Sequence, residues 1–266
     1  MELLHFLLGY LFVMNNYIPM YVCLGVVVIS TILSLGFKDV YKVKEKYSFK
    51  KHRQDIKRSF AFAFRSKRMR SLILFQMVFY SLIKLIKFYS SDLLVEIGIP
   101  EQQFAIIFAA LTFIGGVSIF LKNRIEKTFK NRVLTFISVV YILSCLIIGV
   151  TVKKFEGFFV IPVILVLLAV MQSCESIWYI LESKYLKNFT EAETRNKITF
   201  AYEFIGTTSA SIVSVLGGIL LEYVDVTDGF IVIGLGATVC VILVLDYMRK
   251  RFGLKPEEYS DKDIEF

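Results

Sequence analysis

Two rows of polar side chains interrupt long apolar stretches of this 266-residue chain, and their types and spacing define the chemistry open to it. Gln76, Tyr80, Lys84 and Lys87 follow at steps of four, four and three residues, which lines them along one helix face. Gln172, Glu175, Ser176, Tyr179, Glu182 and Ser183 repeat at threes and fours in a second stretch. Amides, phenols, hydroxyls, ammonium groups and carboxylates supply hydrogen bonds and charge, the means of holding a polar solute. An ionised side chain at the centre of a membrane helix costs about 2.5–3.5 kcal/mol, so both faces are expected to look onto water or onto each other. Lys84 and Glu175 are expected in a cavity wall. Lys87, close to a segment end, reads either as a cavity residue or as a side chain snorkelling to headgroups. Glu175 is the one carboxylate within its apolar run, which makes it the candidate carrier of a coupling proton. Glu182 reads as an interface residue. Glu203, about one turn from the end of its segment, is the weaker candidate.

A rise of 1.5 Å per residue sets the expected levels. Counted from the ends that carry basic residues, Lys84 stands about 20 Å up and Glu175 about 9 Å, while Tyr80 and Gln172 are nearly level at about 14 Å each. The expectation is a polar wall with no Lys84–Glu175 ion pair. Catalytic alternatives have little to work with. The two histidines are His5 and His52, and neither a paired-carboxylate metal motif, a Gly-x-Ser-x-Gly elbow nor a glycine-rich phosphate loop occurs. Cys23, Cys145, Cys174 and Cys240 all fall in apolar segments without a Cys-x-x-Cys spacing, so they read as small hydrophobes. No enzymatic activity, metal or cofactor is expected.

The elements that must position these residues are membrane helices. Hydrophobic residues make up 56% of the chain and mean hydropathy is +0.64. Apolar segments fall at residues 3–14, 18–37, 71–91, 104–121, 133–152, 157–181, 198–221 and 229–248, most of them long enough to cross about 30 Å of hydrocarbon. The fold class is an all-α polytopic membrane protein with about eight hydrophobic helices. That composition excludes a disordered chain, a disulfide scaffold and a soluble nucleic-acid binder. Segment 198–221 is rich in small residues, from Gly206 through Thr207, Thr208, Ser209, Ala210, Ser211 and Ser214 to Gly217 and Gly218, and Gly115 and Gly116 stand in 104–121. Such residues let helix backbones approach closely. The first segment spans only about 18 Å and follows Glu2 and His5 rather than a basic leader. It reads as the end of a helix whose start is missing, so the chain is expected to begin inside a larger protein.

Charge sets the expected orientation. Of 31 Lys and Arg, all but Lys84, Lys87, Lys153 and Lys154 lie in 38–70, 122–132, 184–197 or 249–266. Alternating helices put those four clusters on one side, while connections 14–17, 92–103 and 222–228 lie opposite and contain no Lys or Arg. The basic loops and the C-terminus are therefore expected on the cytoplasmic face, and the net charge of +8 marks that face, not a nucleic-acid site. Residues 38–70 set Ile56, Phe60, Phe62 and Phe64 among Lys57, Arg58, Arg65, Lys67 and Arg68. This stretch either lies in the interface against anionic lipid or is a solvated linker.

This layout, two helices and then six across a long basic loop, resembles the C-terminal two-thirds of a major facilitator superfamily transporter. By that resemblance 1–37 is the end of the N-terminal bundle (a truncated helix five, then helix six) and 38–70 the cytoplasmic central loop. Residues 71–248 are then the complete six-helix C-terminal bundle and 249–266 a cytoplasmic tail. Members often carry an acidic-basic-x-Gly-basic element between helices eight and nine; Glu126, Lys127 and Lys130 match it, with Phe129 in the glycine's place. Arg195 is similar to the basic residue that often precedes helix eleven. The resemblance implies gating roles for Glu126, Lys127, Lys130 and Arg195. It makes the striped segments helices seven and ten, which line the central cavity, and has helices eight and eleven contact the opposite half. Gln76, Tyr80, Lys84, Lys87, Gln172, Glu175, Ser176 and Tyr179 are thus the expected cavity residues. The implied function is secondary active transport of a small solute by alternating access, as a permease or efflux protein, with a coupling proton or ion. Missing N-terminal helices or a partner half would complete it within the lipid bilayer. The alternative is a non-transporting membrane protein, a truncated product or a helical subunit that binds a partner. The two lysines favour an anionic or polar solute; the many aromatics suit an amphipathic one equally.

Overall fold

The computed structural model describes residues 17–36, 49–129, 132–155, 157, 159–190 and 194–249. Segment 3–14, residues 37–48, Lys130 and the tail from 250 lie outside the described residues. Among the described residues all regular structure is helical: α1 (Ile18–Leu35), α2 (Phe49–Arg65), α3 (Lys67–Glu96), α4 (Phe104–Ser118), α5 (Lys122–Phe129), α6 (Val133–Lys154), α7 (Val160–Phe189), α8 (Arg195–Leu221) and α9 (Val226–Arg249). Short 3₁₀ turns, Glu101–Gln103 and Ile119–Leu121, join α4 and α5 into one run, Glu101–Phe129. That run, α3 and α6 to α9 are six helices long and apolar enough to cross a membrane. Their outward faces carry exposed side chains such as Phe113, Val166, Ile212 and Leu243, which suits a multi-pass protein in lipid.

Helix ends meet in two groups. At the basic end Glu126 of α5 pairs with Lys184 of α7 at 3.2 Å, and the Arg70 guanidinium of α3 lies 5.8 Å from the Tyr247 ring of α9. At the opposite end Lys153 of α6 pairs with Asp228 of α9, and the Thr227 hydroxyl of α9 donates to Glu96 of α3. Lys153, which with Lys154 departs from the charge pattern, thus has its own counter-ion. α3 ends where Gly98 takes φ +81°, and the Ile99 N–H turns back to the Leu94 carbonyl at 3.0 Å. A side chain with a Cβ strains that left-handed position.

α3 is the centre of the bundle, packed between α8 and α9; α9 continues to α6, α6 to α7 and α7 to α4. Glycines make the close approaches. A Cβ at Gly206 of α8 would run into the Gln76 amide, and one at Gly217 into Leu85. The Tyr89 hydroxyl donates to the Gly217 carbonyl at 2.6 Å, and its ring lies edge-on to Phe230 of α9. The small residues of α8 therefore divide. Gly206, Ala210 and Gly217 are buried, with Gly206 and Gly217 against α3 of the same bundle, whereas Thr207, Thr208 and Ser211 stay exposed. Gly115 of α4 likewise faces Ser176 and Gln172 of α7, while Gly116 faces open space.

Two connections are more structured than charge alone implies. α2 packs on α8 and α3 through buried Ser59, Phe62 and Ala63, with Phe60 edge-on to Phe204 and Asp55 paired to Lys197 at 2.7 Å. Its one acid is thus neutralised while Lys57, Arg58 and Arg65 stay exposed, so this part of the 38–70 stretch is a docked helix and not a free linker. Ser66 breaks it from α3 with ψ 121°, and its hydroxyl caps the new helix by accepting from the Met69 N–H. In α5, positions 126–129 are helical and Phe129 stacks on Phe136 at 3.9 Å. A large ring here replaces the tight turn that a glycine would serve.

Gly149 of α6 tests the packing. A Cβ there would stand 3.0 Å from the Thr227 carbonyl oxygen and 3.2 Å from the Ile231 backbone nitrogen of α9, neither of which can swing aside. Gly149→Ala is expected to destabilise by about 1–3 kcal/mol. Gly236→Ala, which meets nothing within 4 Å, should be neutral or slightly stabilising through helix propensity. Unfolding of the two variants in detergent micelles checks the contrast.

Candidate functional site

The polar rows lie where α3 faces α7. The two helices run antiparallel, as the contacts show: Phe75 and Phe79 pack on Trp178 with ring centres 4.9 and 5.7 Å apart, Tyr80 meets Tyr179 edge-on at 6.5 Å, and Lys87 reaches Glu175. Buried Phe75, Phe79, Tyr141 and Trp178 form the apolar backing of this seam. The alternation follows from helix periodicity, with Phe75 and Phe79 on one face of α3 and Gln76 and Tyr80 one position on.

An ion pair holds the seam. Lys87 Nζ lies 2.6 Å from Glu175 Oε1, with the carboxylate side chain 5% exposed and the lysine 47%. This corrects the expected polar wall without a salt bridge: the seam has one, made by Lys87 and not Lys84. Glu175 has an ammonium counter-ion and does not stand alone. Lys84 is exposed, with Nζ 5.1 Å over the Tyr80 ring.

The expected levels fail for two physical reasons. α7 continues to Phe189, eight residues past the hydropathic end at 181, because Leu181, Tyr185 and Leu186 remain buried although their neighbours are polar. Glu175 therefore stands about 21 Å from that helix end. Helical side chains also lean toward their own N-terminus, so in an antiparallel pair Lys87 and Glu175 lean toward each other. The same two effects set Tyr80 against Tyr179, two turns beyond the Gln172 expected level with it.

Two cavities lie along α3 and α7, and Tyr80 and Tyr179 line the second. The first, of about 380 Å³, lies toward the end opposite the basic loops and is lined by Lys87, Glu175, Gln172, Ser90, Thr112 and Tyr141 among others. The second, of about 410 Å³, lies toward the basic end, between α3, α7 and the start of α8. It takes in Gln76, Tyr80, Tyr179, Glu182, Tyr202 and Arg195. Ser176 and Lys84 line neither; Ser176 faces Gly115 in the α4–α7 contact. Glu182, expected at the interface, is 9% exposed, because the longer α7 carries its position inside the bundle. Glu203 is exposed and lines the same cavity.

The loop residues serve helix ends. Glu126 holds Lys184, and Lys127 is exposed. Lys130 is outside the described residues. The Arg195 guanidinium donates to the carbonyls of Lys187 and Thr190 at 3.4 Å each, which satisfies the end of α7. Sequence reasoning missed Ser90 and Ser91, which simply continue the Lys84–Lys87 row by three and four. It also missed that Arg195 and Glu203, each named singly, form a third row with Thr199 and Tyr202 at similar steps in α8. Among the described residues no group of His, Cys, Asp or Glu converges to hold a metal ion.

Comparison with protein-family models, curated proteins and solved structures finds no match for this chain. The site must therefore be read from its own chemistry.

The unequal burial of the ion pair predicts an unequal response. Lys87→Met leaves a buried carboxylate without its counter-ion and should cost about 1–3 kcal/mol. Glu175→Gln leaves an exposed ammonium free to reach water and should cost much less. The double replacement should recover most of the Lys87→Met loss, and thermal unfolding of all four proteins in micelles measures it.

Proposed function

We propose that the chain is part of a secondary transporter of the major facilitator type and moves a small polar solute through the α3–α7 seam by alternating access. The observation that carries this reading is a pair of cavities at different depths along α3 and α7, with the Lys87–Glu175 pair at the wall of the first and the Tyr80–Tyr179 contact at the wall of the second. Two cavities at different depths on one polar path are what a bundle needs if it is to offer a solute to either side in turn. Burial in α3–α7 of side chains that lipid would reject, Gln76 and Glu175 among them, supports the same reading, since such residues in membrane helices mark solute and ion paths.

In this reading the ion pair ties α3 to α7 while the first cavity is closed, and a solute or proton that engages Glu175 releases Lys87. The basic ends face the cytoplasm, because the clusters at 38–70, 122–132, 184–197 and 249–266 obey the positive-inside bias. The second wall of the path comes from helices outside the described bundle, N-terminal helices or a partner half.

The test requires no knowledge of the solute. In a cysteine-free background, Ser91→Cys reports the first cavity and Ser183→Cys the second. Membrane-impermeant maleimide is applied to sealed vesicles of either orientation. Each position is expected to label from one side only, and Glu175→Gln is expected to change the two rates in opposite directions. Changes of the same sign, or none, would remove alternating access and favour a non-transporting subunit.

A further inference from the structure

We propose that the second cavity binds a small organic cation, an alkyl- or arylammonium group, through the Glu182 carboxylate. Two carboxylates of α7 are buried, and they differ in one respect. Glu175 has Lys87 at 2.6 Å. Among the described residues Glu182, 9% exposed at the cavity wall, makes no ion pair. The buried Tyr202 hydroxyl stands beside its carboxylate, close enough to interact but outside ordinary hydrogen-bond geometry. A buried carboxylate without a counter-ion is costly, and a bound cation relieves that cost.

The rest of the wall suits the same ligand. Tyr80 and Tyr179 place two further rings at the cavity, and aromatic rings with a carboxylate are the usual surroundings of ammonium groups. Glu203, the next acid on α8, adds negative charge at the same wall. Arg195 and Lys187 line the cavity too and keep their charge, but among the described residues neither pairs with Glu182: Arg195 donates to the backbone carbonyls that end α7, and the Lys187 side chain is exposed. A volume of about 410 Å³ admits a ligand of trimethylammonium size with room for a short substituent. This names a substrate class for the transport reading and rests on that reading only in calling the ligand cargo; the binding itself needs no transport.

Equilibrium dialysis of the full chain in detergent against radiolabelled choline, with 3,3-dimethylbutan-1-ol as the uncharged isostere, tests it. Saturable choline binding is expected, stronger at pH 9 than at pH 5 because the carboxylate must be ionised, with the alcohol competing at least tenfold more weakly. Glu182→Gln should weaken choline at least tenfold, and Gly236→Ala, where an added Cβ meets nothing within 4 Å, should leave it within about twofold. Should the glutamine variant fail to elute as a single species, Glu182→Asp is expected to bind choline more weakly than the parent but still better than the alcohol. No saturable binding at either pH, equal competition by the alcohol, or binding unchanged by Glu182→Gln would overturn the proposal. Dialysis reads equilibrium binding and maleimide labelling reads access, so a failure of one leaves the other standing.

Discussion

A carboxylate placed in the middle of an apolar helix must find a cation, lose its charge or keep water beside it, and the seam between α3 and α7 is organised around that constraint. Glu175 takes the first route through Lys87. The helices run antiparallel, so that each side chain leans toward the other, and a cavity lies to either end of the seam. Only the aromatic backing of Phe75, Phe79 and Trp178 closes the gap on the buried side.

A seam held open on one face of α3 needs tight packing on the others. α8 and α9 supply it with glycines: Gly206 and Gly217 admit Gln76 and Leu85, and Gly229 lies against the Tyr89 ring. Tyr89 also bonds the Gly217 carbonyl, which fixes α3 along its length as well as its distance. In lipid there is no hydrophobic drive between helices, so close backbone approach and interhelical hydrogen bonds have to hold the bundle. The polar face of α3 is thus open while its opposite face is closely packed. In the transport reading, rigid packing on one side and a loose polar seam on the other let helices move as bodies while the seam rearranges.

The two carboxylates of α7 show how position along one helix changes chemistry. Glu175 and Glu182 are seven residues apart and so share a face. One pairs with a lysine ammonium from α3; the other shares a cavity with phenols from α7 and α8 and, among the described residues, makes no ion pair. Arg195, at the wall of the same cavity, donates to carbonyls at the end of α7.

Much of this was legible in the amino-acid order because it depends on periodicity and composition. Apolar segments long enough to span lipid, their number within the described bundle, and the polar faces of α3 and α7 all follow from residue type and spacing, which act locally. Helix ends were less legible: α7 runs on to Phe189 because Tyr185 and Leu186 are buried by neighbours that hydropathy cannot see. Pairing was not legible at all. Whether Glu175 meets Lys84 or Lys87, whether Glu182 faces lipid headgroups or a cavity, and whether the glycines of α8 face α3 or another bundle depend on register between helices. Register is set by the sum of many side-chain contacts and by the lean of each side chain toward its own N-terminus, and only the tertiary structure decides it.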